Sequence, residues 1–319
     1  MKHLLSFFLL TSIFLTQIYA QQSPTRTLTV TVLNDESKPI VNLPQSAFKV
    51  YEDKKIQTIT SFNANEKPVS VGFLFDVSPS VSDKNNEGIN LARHGFFEFV
   101  KASNPLNEYF IMGFNEQVKL VTDWTNKEDE IIDGLNQLPS LRTNCPRSCS
   151  LIYDAHFVAI EKLTKSSHSK RVLIVVTDGE DSDSKHSQRE LMQFAREKDI
   201  LTYGLLIYNY QRTYEEVQQK RYLMNKLSDL TGGYAYDFPN PPGGSSSKEF
   251  NRLNTEFEKM FGEIASTLKS QYEISYKPSN NDSSKKPHKI KVELDLSPEL
   301  KKQTGKFQVL HRLEYSNGK

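Results

Sequence analysis

The chain has 319 residues, and its 40 lysine and arginine side chains nearly balance 39 aspartate and glutamate side chains. This balance excludes a strongly basic nucleic-acid-binding surface as the default interpretation. The nineteen phenylalanines and fourteen tyrosines exclude a disordered chain, because they supply ample apolar area for a core.

Residues 1–20 have the pattern of a secretory signal. Lys2 gives a positive start, an apolar run extends from Leu4 to Leu15, and Ala20 ends the segment with a small residue. The run is too short to span a bilayer comfortably, so we expect cleavage after Ala20 rather than a permanent membrane anchor. The pattern predicts a secreted, periplasmic or cell-surface protein that meets the membrane only through this signal.

Residues 21–68 are predicted to form an amino-terminal β segment. Thr27 to Leu33 alternates in the manner of a strand, Phe48 to Tyr51 precedes a predicted hairpin turn, and Ile56 to Phe62 alternates again.

Residues 69–268 change to alternating strands and helices. Val71 to Phe75 and Val172 to Val176 are apolar on both faces, as buried parallel strands are. Apolar residues at helical spacing separate the predicted strands, and a long helix from Phe250 to Leu268 ends the region. The predicted fold class is therefore α/β, with a doubly wound, mostly parallel sheet and helices on both faces.

Residues 269–319 return to β structure. Three predicted strands begin near Tyr272, Ile290 and Phe307. Because the chain begins and ends in β structure, the economical arrangement is a small β-sandwich built from residues 21–68 and 269–319, with the α/β domain inserted between them.

The two cysteines of the chain, Cys145 and Cys149, stand four positions apart. In an oxidising compartment we expect a disulfide between them. Because so small a ring adds little global stability, the main effect of the bond would be to fix the shape of one loop. The alternative is a pair of free thiols.

Polar side chains follow the predicted buried strands. Asp76, Ser78 and Ser80 follow the first, Asp178 follows a later one, and Ser150 begins the helix between them. Because ligands bind at the carboxyl ends of parallel strands, we expect these side chains to converge. A set of carboxylate and hydroxyl oxygens suits Mg²⁺, or Mn²⁺ or Ca²⁺, rather than Zn²⁺. The alternative is that Asp76 and Ser78 only cap the following helix.

These motifs resemble the von Willebrand factor type A domain over about residues 69–268. The shared pattern is Asp-x-Ser-x-Ser after a buried strand, a hydroxyl residue before Tyr-Asp-Ala, and Thr-Asp-Gly after a later strand. The resemblance implies that Asp76, Ser78 and Ser80 begin a metal-ion-dependent adhesion site, with Asp178 as its late acidic member, bound directly or through water.

The middle ligand departs from the family pattern, which usually has threonine there. Ser150, four residues before Asp154, takes the matching place, and Thr143 is the alternative. The flanking β segments, including residues 41–53, are also similar to bacterial secreted proteins of this type.

Two further polar groups have weaker patterns. The loop with Glu180, Asp181, Asp183 and His186 could hold a second metal, although a solvated acidic loop is the favoured interpretation. His156 near the site is interpreted as a packing or rim residue.

The favoured function is a non-enzymatic, cation-dependent module that binds an Asp or Glu carboxylate of a protein partner, with no nucleic acid and no small-molecule substrate. One alternative is a structural envelope protein with a vestigial metal site. Another is a phosphatase of the haloacid dehalogenase type, which usually needs a second aspartate where Ser78 stands.

Overall fold

The computed structural model describes residues 25–81, 87–141, 149–209, 213–240, 247–279 and 286–316. The predicted signal segment, Thr143 and Cys145 lie outside these residues. Cleavage after Ala20 and a Cys145–Cys149 bridge therefore stay predictions.

The amino-terminal segment contains four strands: β1 (Arg26–Asn34), β2 (Phe48–Glu52), β3 (Lys55–Gln57) and β4 (Ile59–Asn63). Strands β2 and β3 form the predicted hairpin through Asp53 and Lys54, whose φ angles are 47° and 67°. Two positive φ angles match the twist that a two-residue hairpin turn requires.

The central sheet is built from the next six strands: β5 (Val69–Asp76), β6 (Glu108–Phe114), β7 (Val118–Thr125), β8 (Lys170–Thr177), β9 (Leu201–Asn209) and β10 (Ala235–Asn240). Their spatial order is β10-β9-β8-β5-β6-β7. The first five run parallel, and β7 pairs antiparallel with β6 at the edge. The prediction of a mostly parallel sheet is confirmed.

Among the described residues, six α-helices cover the two faces of this sheet: α1 (Glu87–Ala102), α2 (Glu128–Gln137), α3 (Ile152–Leu163), α4 (Gln188–Glu197), α5 (Tyr214–Thr231) and α6 (Ser247–Lys269). Alternate residues of β5 point to opposite faces, so that Phe73 packs with α1, α2 and α6, whereas Leu74 packs with α3, α4 and α5. Helices on both faces were predicted and are confirmed. Within the described residues, no helix has the length and apolarity needed to cross a bilayer.

The carboxy-terminal segment contributes β11 (Tyr272–Tyr276), β12 (His288–Leu294), α7 (Pro298–Thr304), β13 (Phe307–Leu310) and β14 (Glu314–Tyr315). The helix α7 corrects the expectation that this segment is wholly β. Ser297 caps α7 by accepting a hydrogen bond from the Leu300 amide, and Pro298 occupies its first turn.

The two terminal segments together form the predicted sandwich. One antiparallel sheet has the order β13-β1-β11-β4, and the other has the order β14-β12-β2-β3. Their facing side chains share one apolar core, which includes Leu28, Val50, Ile274 and Val292. Each sheet contains strands from both ends of the chain, so both terminal segments are needed to complete either sheet.

The sandwich is attached at the amino-terminal edge of the central sheet. The chain passes from β4 to β5 through five residues and from α6 to β11 through two. Arg312 donates a hydrogen bond to the Arg196 carbonyl (2.8 Å) just before the end of α4, and Arg196 pairs with Glu314 (2.7 Å). At the end of α5, a Cβ on Gly232 would lie only 2.6 Å from the Arg312 nitrogen. These contacts hold the two parts of the chain together.

Candidate metal centre

Asp76 ends β5 and is 1% exposed. Its Oδ1 accepts a hydrogen bond from the Ser78 amide (2.9 Å), and its Oδ2 accepts one from the Thr177 hydroxyl (2.7 Å). Burial, together with the charge of Asp178, raises the pKa of Asp76 from 3.8 to about 7, and hydrogen bonds from Ser78 and Thr177 oppose this shift. A buried carboxylate with so little compensation favours a cation beside it.

This pKa shift predicts an unusual pH dependence for the metal-free protein. The folded-state pKa lies above the unfolded value, so between about pH 4 and pH 7 the folded state retains a proton that the unfolded state has lost. The free energy of unfolding should therefore fall as pH rises through this window, by about 1.4 kcal/mol for each unit of pKa difference. Urea unfolding with chelator present measures it. Asp76→Asn should remove this part of the slope, and equal slopes for both proteins would contradict the assignment.

Ser78 and Ser80 extend the site from the same loop. Ser78 is fully buried, its Oγ lies 3.1 Å from the Ser80 Oγ, and Ser80 is exposed. Residues 79–81, which follow Ser78, form a turn and not a helix. The interpretation of Asp76 and Ser78 as caps of the following helix is therefore wrong, because a capping side chain lies next to the first helical turn.

Ser150 is held between two loops by its backbone. Its amide donates to the Ser182 Oγ (2.9 Å), and its carbonyl accepts from the Ser182 amide (3.0 Å). The next amide, of Leu151, donates to the carbonyl of Asn115, which follows β6 (3.0 Å). The Ser150 side chain is fully buried, yet its Oγ has no hydrogen-bond partner in the part of the chain that the structure describes.

Asp178 directly follows β8 and is 1% exposed. Its Oδ1 accepts from the Glu180 amide (3.1 Å), and its Oδ2 lies 2.7 Å from the Lys220 Nζ. Its charge acts on Asp76, so the two carboxylates lie within electrostatic reach of each other. Asp178 is thus an acidic group shared between the site and a lysine on α5.

Two residues of this neighbourhood were not predicted. Thr177 donates a hydrogen bond to Asp76. This contact could have been predicted, because Thr177 belongs to the Thr-Asp-Gly motif and ends β8, the strand that pairs with β5. Lys220 stands 42 residues after Asp178 on an amphipathic helix, and no motif marks it. Contacts of this kind depend on how α5 packs.

The side chains fit a hard divalent cation. They offer only oxygen: carboxylates from Asp76 and Asp178, and hydroxyls from Ser78, Ser80 and Ser150. Such ligands suit Mg²⁺, Mn²⁺ or Ca²⁺. The buried Ser150 hydroxyl, which has no partner among the described residues, leaves room for an additional partner such as an ion or ordered water.

The neighbouring acidic loop does not form a second centre. Glu180 pairs with Lys220 (2.6 Å), whereas the Nδ1 of His186 lies 2.7 Å from Asp154. The groups thus face different partners, and among the described residues none of them belongs to a cluster of metal-ligating geometry.

His156 is fully buried on α3, with its Nδ1 lying 2.7 Å from the Ile152 carbonyl. Burial lowers its pKa to about 4, so the imidazole is neutral at ordinary pH. It is a packing residue of the core beside the site.

A second cluster, missed from the sequence, lies in the sandwich. Ligand atoms of Glu52, Asp53 and His288 lie within 4.8 Å of one another. The guanidinium of Arg26 pairs with Glu52 (3.1 Å), and Tyr276 donates to the same carboxylate (2.7 Å). The cationic group already balances the buried acid, so this cluster is explained as an internal ion network.

The central sheet, with helices on both faces and polar loops at its carboxyl edge, defines an α/β domain. The chain belongs to the von Willebrand factor type A domain family, whose sequence model matches residues 70–239, just over half of the chain. Domains of this family are typically non-enzymatic modules that mediate protein–protein interactions and bind a divalent metal.

Several solved structures are similar to this chain. BatB from Bacteroides thetaiotaomicron is 18% identical and covers 60% of this chain and 98% of its own, with a TM-score of 0.43. A von Willebrand factor type A protein from Catenulispora acidiphila is 9% identical and covers 94% of this chain and 75% of its own, with a TM-score of 0.48. Proximal thread matrix protein 1 from the mussel byssus, with a zinc-occupied MIDAS motif, is 12% identical over 68% of this chain and 49% of its own, with a TM-score of 0.47. No curated protein matches the chain.

Proposed function

We propose that this protein is an exported, cation-dependent binding module that recognises an acidic group on a protein partner. Asp76, Ser78, Ser80, Ser150 and Asp178 would hold Mg²⁺, with Mn²⁺ or Ca²⁺ as alternatives. The ion supplies a Lewis-acidic position at which a carboxylate can replace a bound water. No bond is broken in this mode of recognition.

The single observation that carries the proposal is the Ser150 hydroxyl. It is fully buried and lacks a hydrogen-bond partner within the described residues, beside a loop that follows β8 and carries Asp178. Leaving such a group unsatisfied costs about 1–3 kcal/mol, which a coordinated cation would recover. The high pKa of the buried Asp76 supports the same conclusion, because a cation beside it would favour its ionised form.

The partner is inferred from charge and ligand count. Two carboxylates neutralise a divalent cation only formally, and the remaining ligands are neutral hydroxyls. The ion therefore still attracts an anionic oxygen, and an exposed Asp or Glu of a second protein offers one. The predicted signal segment 1–20 favours a partner in the periplasm, at the cell surface or outside the cell.

A pull-down from the native cell envelope tests this function. The mature protein, immobilised with Mg²⁺, should retain a partner that chelator releases and that Asp76→Ala fails to retain. Capture that is equal with Mg²⁺ and with chelator would contradict the proposal.

The two alternatives give different results. A haloacid dehalogenase-type phosphatase would hydrolyse a phosphate ester, although Ser78 stands where its second aspartate belongs. A vestigial site would show no heat when titrated with Mg²⁺ or Mn²⁺.

A further inference from the structure

Lys220 places a positive charge inside the candidate metal centre. Its Nζ lies 2.7 Å from the Asp178 Oδ2 and 2.6 Å from the Glu180 Oε2. Its side chain is only 11% exposed. An ammonium with so little access to water requires anionic partners, and hydrogen bonds between ionised groups are among the strongest in proteins.

The backbone holds this lysine against the loop as well. Gly179, between the two acidic residues, has a φ of +81°, and a Cβ added there would lie 2.6 Å from the Lys220 carbonyl oxygen. The turn of α5 that carries Lys220 therefore lies in direct contact with the loop. The close backbone contact fixes the position of the Lys220 Cα relative to the loop that carries Asp178 and Glu180.

We propose that Lys220 is an internal counter-cation of the metal centre: it weakens cation binding and makes the loaded site more attractive to an anionic partner. This inference rests on the proposed function. With Asp76, Asp178 and Glu180 ionised, Lys220 brings the site to a net charge of −2, and a divalent cation brings it to zero. Without the lysine, the loaded site would remain negative and would repel a carboxylate. Lys220 is thus a specificity-determining residue: it lowers the affinity of the site for the cation and raises the affinity of the loaded site for an anionic partner.

Calorimetric titration with Mg²⁺ alone tests the proposal. Lys220→Met removes the charge but keeps an unbranched apolar chain. We expect the Kd for Mg²⁺ to fall about tenfold or more, because the ammonium that neutralises Asp178 at 2.7 Å is lost and unit charges near a protein surface interact by several RT at such a separation. Lys226→Met is the matched control. Lys226 is on the same helix, with its ammonium 5.6 Å from the Tyr222 ring, and its loss should change the Kd less than about twofold.

A second variant should change the Kd for Mg²⁺ in the opposite direction. Glu180→Gln removes one of the two acids that the lysine bridges, so the site becomes more positive and the Kd for Mg²⁺ should rise. The two variants therefore move the affinity in opposite directions. Loss of packing alone would instead weaken binding in both.

Thermal unfolding provides a readout independent of calorimetry. Without metal, Lys220→Met should unfold at a lower temperature than the wild type, because two acids lose their counter-ion. Addition of Mg²⁺ should then raise its Tm by more than it raises that of the wild type. A wild type that binds Mg²⁺ together with a Lys220→Met variant of equal or weaker affinity would overturn this inference alone. A wild type that binds no cation would instead overturn the proposed function.

Discussion

Asp76→Ala is expected to abolish cation uptake while leaving the fold intact. Asp76 is the buried carboxylate at the end of β5, and Ser78 and Thr177 hold both of its oxygens in place. In the proposed site Asp76 binds the cation directly and few other ligands are anionic, so its removal should weaken Mg²⁺ binding by about a hundredfold or more, which is at least ~2.7 kcal/mol. Calorimetry with Mg²⁺ and with Mn²⁺ measures the loss.

The control for this prediction is Asp183→Ala. Asp183 is an exposed acid in the loop that follows β8, so its removal changes the net charge equally but should leave the affinity nearly unchanged. Far-UV circular dichroism should be nearly identical for both variants. If Asp76→Ala unfolds the protein, Asp76 has a structural role instead.

Phe261→Ala is expected to cost about 3–5 kcal/mol of unfolding free energy. Phe261 is fully buried on α6, and its ring lies 5.8 Å from that of Phe73 on β5 and 6.2 Å from that of Phe99 on α1. A Cβ added at Gly95 would lie 2.3 Å from the Phe261 ring, so α1 and α6 approach closely here. Truncation would leave a cavity between two helices and the sheet, which close packing prevents from collapsing. Urea unfolding measures the change.

Phe307→Ala is the matched control for this substitution. Phe307 lies on β13 with 39% of its surface exposed, so the same truncation should change the stability by less than about 1 kcal/mol. Phe261→Leu should recover much of the loss, because it refills most of the volume. A cost below about 1.5 kcal/mol for Phe261→Ala would show that α6 packs less tightly than its contacts indicate.

The sequence predicted the central sheet well because its strands have an unambiguous composition. Val71 to Phe75 is apolar on both faces, which only a strand covered on both sides accommodates. The β11 strand was equally readable, since Tyr272, Ile274 and Tyr276 alternate with polar residues. The helix α7 was missed because it is short, although Ser297 followed by Pro298 is a helix-start pattern.

The candidate metal centre was predictable only in part. Asp76, Ser78 and Asp178 follow strands, and the rule that parallel strands end at one edge brings them together. The contact between Asp178 and Lys220 depends on the rotation and depth of α5, which side-chain packing sets and no local pattern encodes. No local pattern predicts the buried ion pair of Arg26 and Glu52 either, because the two residues lie on different strands, β1 and β2, of the sandwich.

The attachment of the sandwich has a mechanical consequence. Asp76 lies at the carboxyl edge of the sheet, whereas β4, β11 and Arg312 join the sandwich to the opposite edge. Under the proposed function, tension between a bound partner and the sandwich would therefore run along the strands, in the direction of β5. Load in that direction must shear the hydrogen bonds of β5 to β6 and β8 together, whereas load across the strands would open them one at a time.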